Sequence, residues 1–264
     1  MASEANKRFY ERRFVGARYA RQSALQPAEA AILERHRDAI AGARILDLGV
    51  GGGRTTAFLA ALGRSYVGID YSGEMVERCR KRFPAARFEV ADAADLSRFA
   101  DSSFEFVLFS YNGIDAVGHA QRLRILAEVR RVLAGDGLFL FSSHNRNFRV
   151  PRPWALEHLA INPVRHPFRF IRRLAAFPLG IVNYLRQSRT EETGDDHCIA
   201  IDSAYLYSLR HYCMTLEAQE RQLRAQGFDI VERAGIDGRP AGPGESATLA
   251  DPWIQYLCRP QAPG

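Results

Sequence analysis

Three acids and a run of glycines carry the chemistry this sequence can do. Asp47, Gly49, Gly51 and Gly53 are spaced as D-x-G-x-G-x-G inside "ILDLGVGGGRTTAFLA". Glycine loses more freedom on folding than any other residue, so such a cluster marks a tight turn or a backbone that a ligand approaches closely. Asp70 ends "SYVGID", about 20 residues on, where a carboxylate is placed to accept from both hydroxyls of a ribose. Asp92, in "EVADA", is placed to accept from the exocyclic amine of an adenine ring. The loop is not a dinucleotide fingerprint, because Arg54 stands where G-x-G-x-x-G needs its third glycine. Two histidines are candidates for a general base: His144 in "FSSHNRN" and His211 in "YSLRHYCMT". A hydrogen-bonded structural role is the alternative for each.

These groups sit where strands should end. "ARILDLG", "SYVGID", "ARFEVAD", "SFEFVLFSY" and "LFLFSS" read as five strands, the fourth apolar enough to be buried on both faces. Between them lie helical stretches from Gly53 to about Leu62 and from Ser72, a cap, through Glu74, Met75, Val76 and Cys79. The last, "QRLRILAEVRRVLAGDG", turns Leu123, Leu126, Val129 and Leu133 inward and its arginines outward, and ends in a Gly-Asp-Gly turn. Such alternation predicts a doubly wound α/β sheet with its ligand at the carboxyl ends of the strands. A helix through Ala30, Ala31, Leu33, His36 and Ile40 precedes it. "TLEAQERQLRAQGFDIVERAG" and "DPWIQYLCRP" supply a further helix and two strands.

At these residues the chain resembles the class I S-adenosylmethionine-dependent methyltransferases. "LDLGVGGG", "VGIDYSGEMV", "VADAADL", "FEFVLFSYNGI" and "EVRRVLAGDGLFLFSS" are similar to that family's motifs in the same order, over roughly residues 45–143. The resemblance implies a Rossmann-like, seven-stranded, mostly parallel sheet, with S-adenosylmethionine as cofactor and S-adenosylhomocysteine as product. It implies that Gly49 and Gly51 line the donor's amino-acid tail, with Asp47 and Gly53 in the same loop. Asp70 would hold the ribose, and Met75 or Tyr71 the adenine, whose edge Asp92 and the Ala93 amide read. Carbonyls near Ser110 and Tyr111 would meet the ammonium group. Tyr10 and Tyr19 are candidates to close over the sulfonium through cation–π attraction, or simply to pack.

Methyl transfer from a sulfonium is an in-line displacement in which alignment supplies most of the rate, so a conspicuous catalytic motif is not required. "SYNGID", 110–115, stands where an Asn-Pro-Pro-Tyr-like motif would serve nucleobase or glutamine amines. The acceptor expected is therefore an oxygen or nitrogen of a small molecule: a sugar, glycan precursor or secondary metabolite. Methylation of RNA or of a lipid-linked anionic acceptor, or a catalytically inactive donor-binding module, are the alternatives.

The net charge of +6 is concentrated. Between Asn145 and Thr190 nine arginines face a single acid, Glu157. "PFRFIRRLAAFPLGIVNYLRQ" within it is amphipathic, with Pro178 expected to kink or break the helix. It reads as a lid over the substrate pocket, as a docking surface through 168–189 for an anionic or lipid-linked partner, or as a nucleic-acid contact; no stable nucleic-acid partner is expected. The expected organisation is an N-terminal helical segment or lid (1–42), the donor-binding core (43–143), a basic helical insertion (144–206) and completion of the core (207–264). No apolar run is long enough to span a bilayer and no signal core opens the chain, which predicts a cytoplasmic protein. Cys79, Cys198, Cys213 and Cys258 lack metal or redox spacing and are expected as buried, separate thiols.

Overall fold

The computed structural model describes residues 6, 24–148, 150, 152–155, 165–188, 191–201, 206–242 and 251–262. Helix α1 (Pro27–Arg35) and the single turn α2 (Arg37–Ile40) precede strand β1 (Arg44–Leu48). There follow α3 (Thr56–Leu62), β2 (Ser65–Asp70), α4 (Gly73–Arg82), β3 (Arg87–Val90) and β4 (Phe104–Phe109). A 3-10 turn (Gly113–Ala116), α5 (His119–Val132) and β5 (Leu133–Asn145) complete the first half. These five strands run parallel in the order β3-β2-β1-β4-β5.

The strands are apolar on both sides because helices cover both faces of the sheet. Ile45, Phe106, Leu108 and Leu140 pack into one core, whereas Leu46, Val107, Phe139 and Phe141, their neighbours in sequence, pack into the other. The period-two alternation of a strand sends successive side chains to opposite layers. Helix α5 ends at Val132 without the expected Gly-Asp-Gly turn, and the chain passes straight into β5. That stretch is absorbed as a bulge: Phe104 pairs with Leu133, but Phe106 pairs with Leu138.

The second half brings α6 (Pro167–Ser188), β6 (Glu192–Thr193), β7 (His197–Ile201), β8 (Arg210–Met214), α7 (Leu216–Ala225), β9 (Phe228–Ala234) and β10 (Trp253–Pro260). Thr215 caps α7 by accepting from the Ala218 amide at 3.2 Å. The predicted sixth and seventh strands are β9 and β10, antiparallel to each other, with β10 antiparallel to β5. The sheet is wider than the seven strands expected, however. Among the described residues its ten strands include β6, β7 and β8, which extend it beyond the end of β5. The segment 144–206 is thus not simply helical. His211 lies ahead of the last helix, as expected, and is in strand β8.

Two further expectations are corrected. Cys198 and Cys213 stand opposite each other on β7 and β8, 5.2 Å apart between Cα atoms, and form a disulfide; strand register brought together residues that their spacing kept apart. Cys79 and Cys258 are buried free thiols. Helix α6 also runs through Pro178 unbroken. Leu174, whose carbonyl loses its partner four residues before that proline, is exposed, so water can satisfy it.

Candidate functional site

The loop after β1, the ends of β2 and β3 and the turn after β4 enclose a cavity of about 440 Å³ at the carboxyl edge of the sheet. Asp47, Gly49, Gly51, Asp70, Tyr71, Met75, Asp92, Ala93, Ser110 and Tyr111 all line it, so the fold converges ten of the predicted donor residues on one space. Gly51 has φ +54°, and a Cβ there would meet only the Gly49 carbonyl, at 3.9 Å. Its missing side chain leaves open room at the cavity wall, and its amide donates to Asp70 Oδ2 at 2.9 Å. Gly53 is different: it does not line the cavity. A Cβ there would strike the Phe83 ring at 2.6 Å, so this glycine lets the loop pack against α4. Tyr10 and Tyr19 lie outside the described residues, but Asn6 lines the cavity and donates to the Ala116 and Arg210 carbonyls at 3.0 and 2.7 Å.

The two acids of the donor loop are held differently. Asp70 accepts from the Ser72 amide at 2.8 Å as well as from Gly51; burial raises its pKa and those amides pull it back. Asp47 is buried, and its Oδ2 accepts from Thr55 at 2.6 Å and Tyr66 at 2.8 Å. Its Oδ1 is buried without a hydrogen-bond partner. Burial pushes the carboxyl up to about 6 against the hydrogen bonds of Thr55 and Tyr66. An unpaired acceptor in a cavity wall costs free energy unless a ligand donates to it. Asp92 is exposed and accepts from the Ala94 amide at 2.9 Å and from Gln121 at 3.2 Å.

Arg54, the residue that spoils the dinucleotide pattern, pairs with Glu29 of α1 at 2.6 and 2.8 Å. Glu29 is fully buried, and Ser110 bonds to both partners. The N-terminal helix is therefore locked to the cavity rim by charge. Nothing in the local pattern around Glu29 signals this, since its partners are 25 and 81 positions away.

A second polar cluster lies immediately beyond the cavity. Tyr111 and Asn112 both adopt left-handed backbone, φ +58° and +56°. Asn112 lines the cavity on one side and places its Nδ2 3.3 Å from His144 Nε2 on the other. His144 Nδ1 lies 2.8 Å from Asp115 Oδ2, which also accepts from the His144 amide. Asp115 is fully buried against Arg122, likewise fully buried. Burial alone would raise the Asp115 pKa; the Arg122 guanidinium and the His144 hydrogen bonds outweigh it and hold the carboxyl below its usual range. Asp115 thus stays ionised and has no proton to give, so in the bond between them His144 Nδ1 donates. The His211 ring stacks on His144 at 4.6 Å because β8 pairs with the end of β5. Neither histidine lines the cavity; His144 stands one residue behind Asn112.

The sequence reading missed Asp115, Asn112 and Arg122. Arg122 was turned outward with the other arginines of its helix, yet it is inward with Ile125, Leu126, Val129 and Val132. Centring the stripe on Leu123 displaced it by one position. Gln219 and Gln222 of α7 accept from the guanidinium at 2.6 and 2.9 Å, partners about a hundred residues away.

Residues 45–137 match the model of a family described as a methyltransferase domain. The likeness to that methyltransferase domain runs from β1 into the start of β5. Over 101 residues the chain is 40% identical to a demethylmenaquinone methyltransferase of Clavibacter sepedonicus, covering 37% of this chain and 40% of the relative. Over 117 residues it is 32% identical to a fatty-acid O-methyltransferase of Mycolicibacterium smegmatis, covering 42% and 41%. The chain thus spans about two fifths of the length of these curated relatives. The fold extends further than the sequence likeness. An S-adenosylmethionine-dependent methyltransferase structure from Clostridium acetobutylicum superposes with a TM-score of 0.58 at 13% identity, over 89% of this chain and 92% of that one.

Proposed function

We propose that this protein transfers a methyl group from S-adenosylmethionine to a small molecule, and that the acceptor atom is a hydroxyl oxygen deprotonated by His144. When bound, the sulfonium supplies an activated methyl group, and the residues around it have to align the acceptor and exclude water. The cavity fits such a nucleoside in three respects: the open space at Gly51, the paired-acceptor carboxylate of Asp70, and the unsatisfied Oδ1 of Asp47. Asp70 would hold the ribose, Met75 and Tyr71 the adenine face, and Asp92 with Ala93 its edge. The backbone at Ser110 and Tyr111 closes the amino-acid end.

The observation that carries the acceptor reading is Asn112, which touches both the cavity and His144 Nε2. A hydroxyl that displaces the Asn112 amide would donate to His144 Nε2 in its place, and ionised Asp115 stabilises the imidazolium that forms. Amines need only be deprotonated beforehand, whereas a hydroxyl of high pKa gains from a positioned base. The relatives named for a quinone precursor and a fatty acid favour an acceptor with apolar parts.

Incubating the purified protein and cell extract with isotopically labelled donor should label a small molecule. With that acceptor, His144→Ala should lower turnover by roughly 10²- to 10⁴-fold while S-adenosylhomocysteine affinity is unchanged. Full turnover of the variant from about pH 6 to 9 would remove His144 from the chemistry. Donor binding without any labelled product would leave an inactive binding module.

A further inference from the structure

We propose that α6 is an interfacial anchor that lies on an anionic bilayer surface. One face of the helix carries Phe168, Ile171, Leu174, Leu179, Val182 and Leu185 at helical spacing, and these side chains are 87, 62, 51, 53, 40 and 54% exposed. Contiguous apolar surface of this kind is uncommon on a soluble monomer and marks a place of contact. In the C-terminal half of the helix the opposite face is fixed to the protein. Tyr184 packs edge-on against Tyr207, and Asn183 and Gln187 donate to the Leu206 and Ser208 carbonyls at 2.9 and 3.2 Å. These contacts turn the stripe outward at Leu179, Val182 and Leu185.

The charge around the stripe selects the occupant. Helix α6 has no acid in its 22 residues, and Arg172 and Arg186, at the edge of the stripe, are exposed. Arginines bordering an apolar stripe match a surface with anionic headgroups above hydrocarbon. Stacking two copies through this face would bring like charges together. RNA would leave the aliphatic side chains in water. As a lid the stripe would have to face the cavity, yet no described residue of 144–206 lines it. Among the described residues no helix is long and apolar enough to cross a membrane, so α6 would lie in the plane of the interface.

Flotation of the full chain with vesicles of phosphatidylcholine, with and without about 30% phosphatidylglycerol, tests this. Binding is expected to the anionic vesicles at low salt, with a fall at high salt. Leu174→Glu with Leu179→Glu should abolish it. Arg172→Gln with Arg186→Gln should weaken it about 25-fold, from about fivefold per charge near such a surface. Circular dichroism should be unchanged, since all four side chains are exposed. Five results would each overturn the proposal: no binding to anionic vesicles; binding that survives the paired glutamates; an altered S-adenosylhomocysteine affinity in that variant, the mark of a lid; wild-type self-association by light scattering that the glutamates break; or RNA binding that depends on the stripe.

Discussion

Asp47 and Asp115 are both buried carboxylates at the carboxyl edge of one sheet, and their environments drive them in opposite directions. Around Asp47 the donors are neutral, Thr55 and Tyr66, so desolvation dominates and its pKa rises to about 6. Around Asp115 the decisive neighbour is the Arg122 guanidinium, so desolvation is overcome and the carboxyl stays charged. The two halves of the site differ in the same way. The donor half is built by residues close in sequence, and it leaves an acceptor atom unpaired in a cavity. The base half is built from the turn after β4 and from α5, β5, β8 and α7, and it presents a charge to a histidine. An acid is kept poised for a ligand on one side and committed to a partner on the other.

The contrast is open to test, beginning with its costliest part. Arg122→Met removes the cation that keeps Asp115 charged and should cost about 3–5 kcal/mol in denaturant melts at neutral pH, the range for breaking a buried pair. A loss below about 1 kcal/mol would mean that the guanidinium does not govern Asp115.

Asp47→Asn tests the other acid through pH. The folded-state pKa of Asp47 is raised above the usual aspartate value, so folding takes up a proton between the two. Its contribution is present below about pH 4 and lost as pH rises through about 6. Relative to the asparagine variant, wild-type protein should therefore lose up to about 3 kcal/mol of stability across that window. A stability difference that does not vary with pH would show that folding leaves the Asp47 pKa unshifted.

Asp70→Ala should weaken S-adenosylhomocysteine binding by about 100-fold in calorimetry, the effect of losing hydrogen bonds to an ionised acceptor. Unchanged affinity would separate Asp70 from the ribose. It would also leave the carboxylate as a device for bracing the Gly51 and Ser72 amides.

How much of this was legible follows from sequence distance. Asp70 ends β2, Asp47 is one residue before the end of β1 and Asp92 two residues past β3, so pattern alone placed them on one edge of a parallel sheet. Gly53 was grouped with Gly49 and Gly51 because spacing cannot show that Phe83 lies against it. Arg122 was misplaced because a hydrophobic stripe read with a one-residue offset turns a buried cation to solvent. The strands of 144–206 were hidden by the strong helical amphipathicity of 167–188. The disulfide was hidden because cross-strand register, not spacing, brought Cys198 opposite Cys213.

The sequence by itself determined the alternation of strands and helices, the glycine turn and the acids at the strand ends, since each is a local consequence of side-chain period and backbone freedom. Tertiary structure alone decided which acid is paired. Arg122 reaches Asp115 only after α5 packs on the sheet, and Glu29 reaches Arg54 only after α1 docks beside the loop. A buried charge acquires its meaning from a partner, and here the partners come from other elements of the fold.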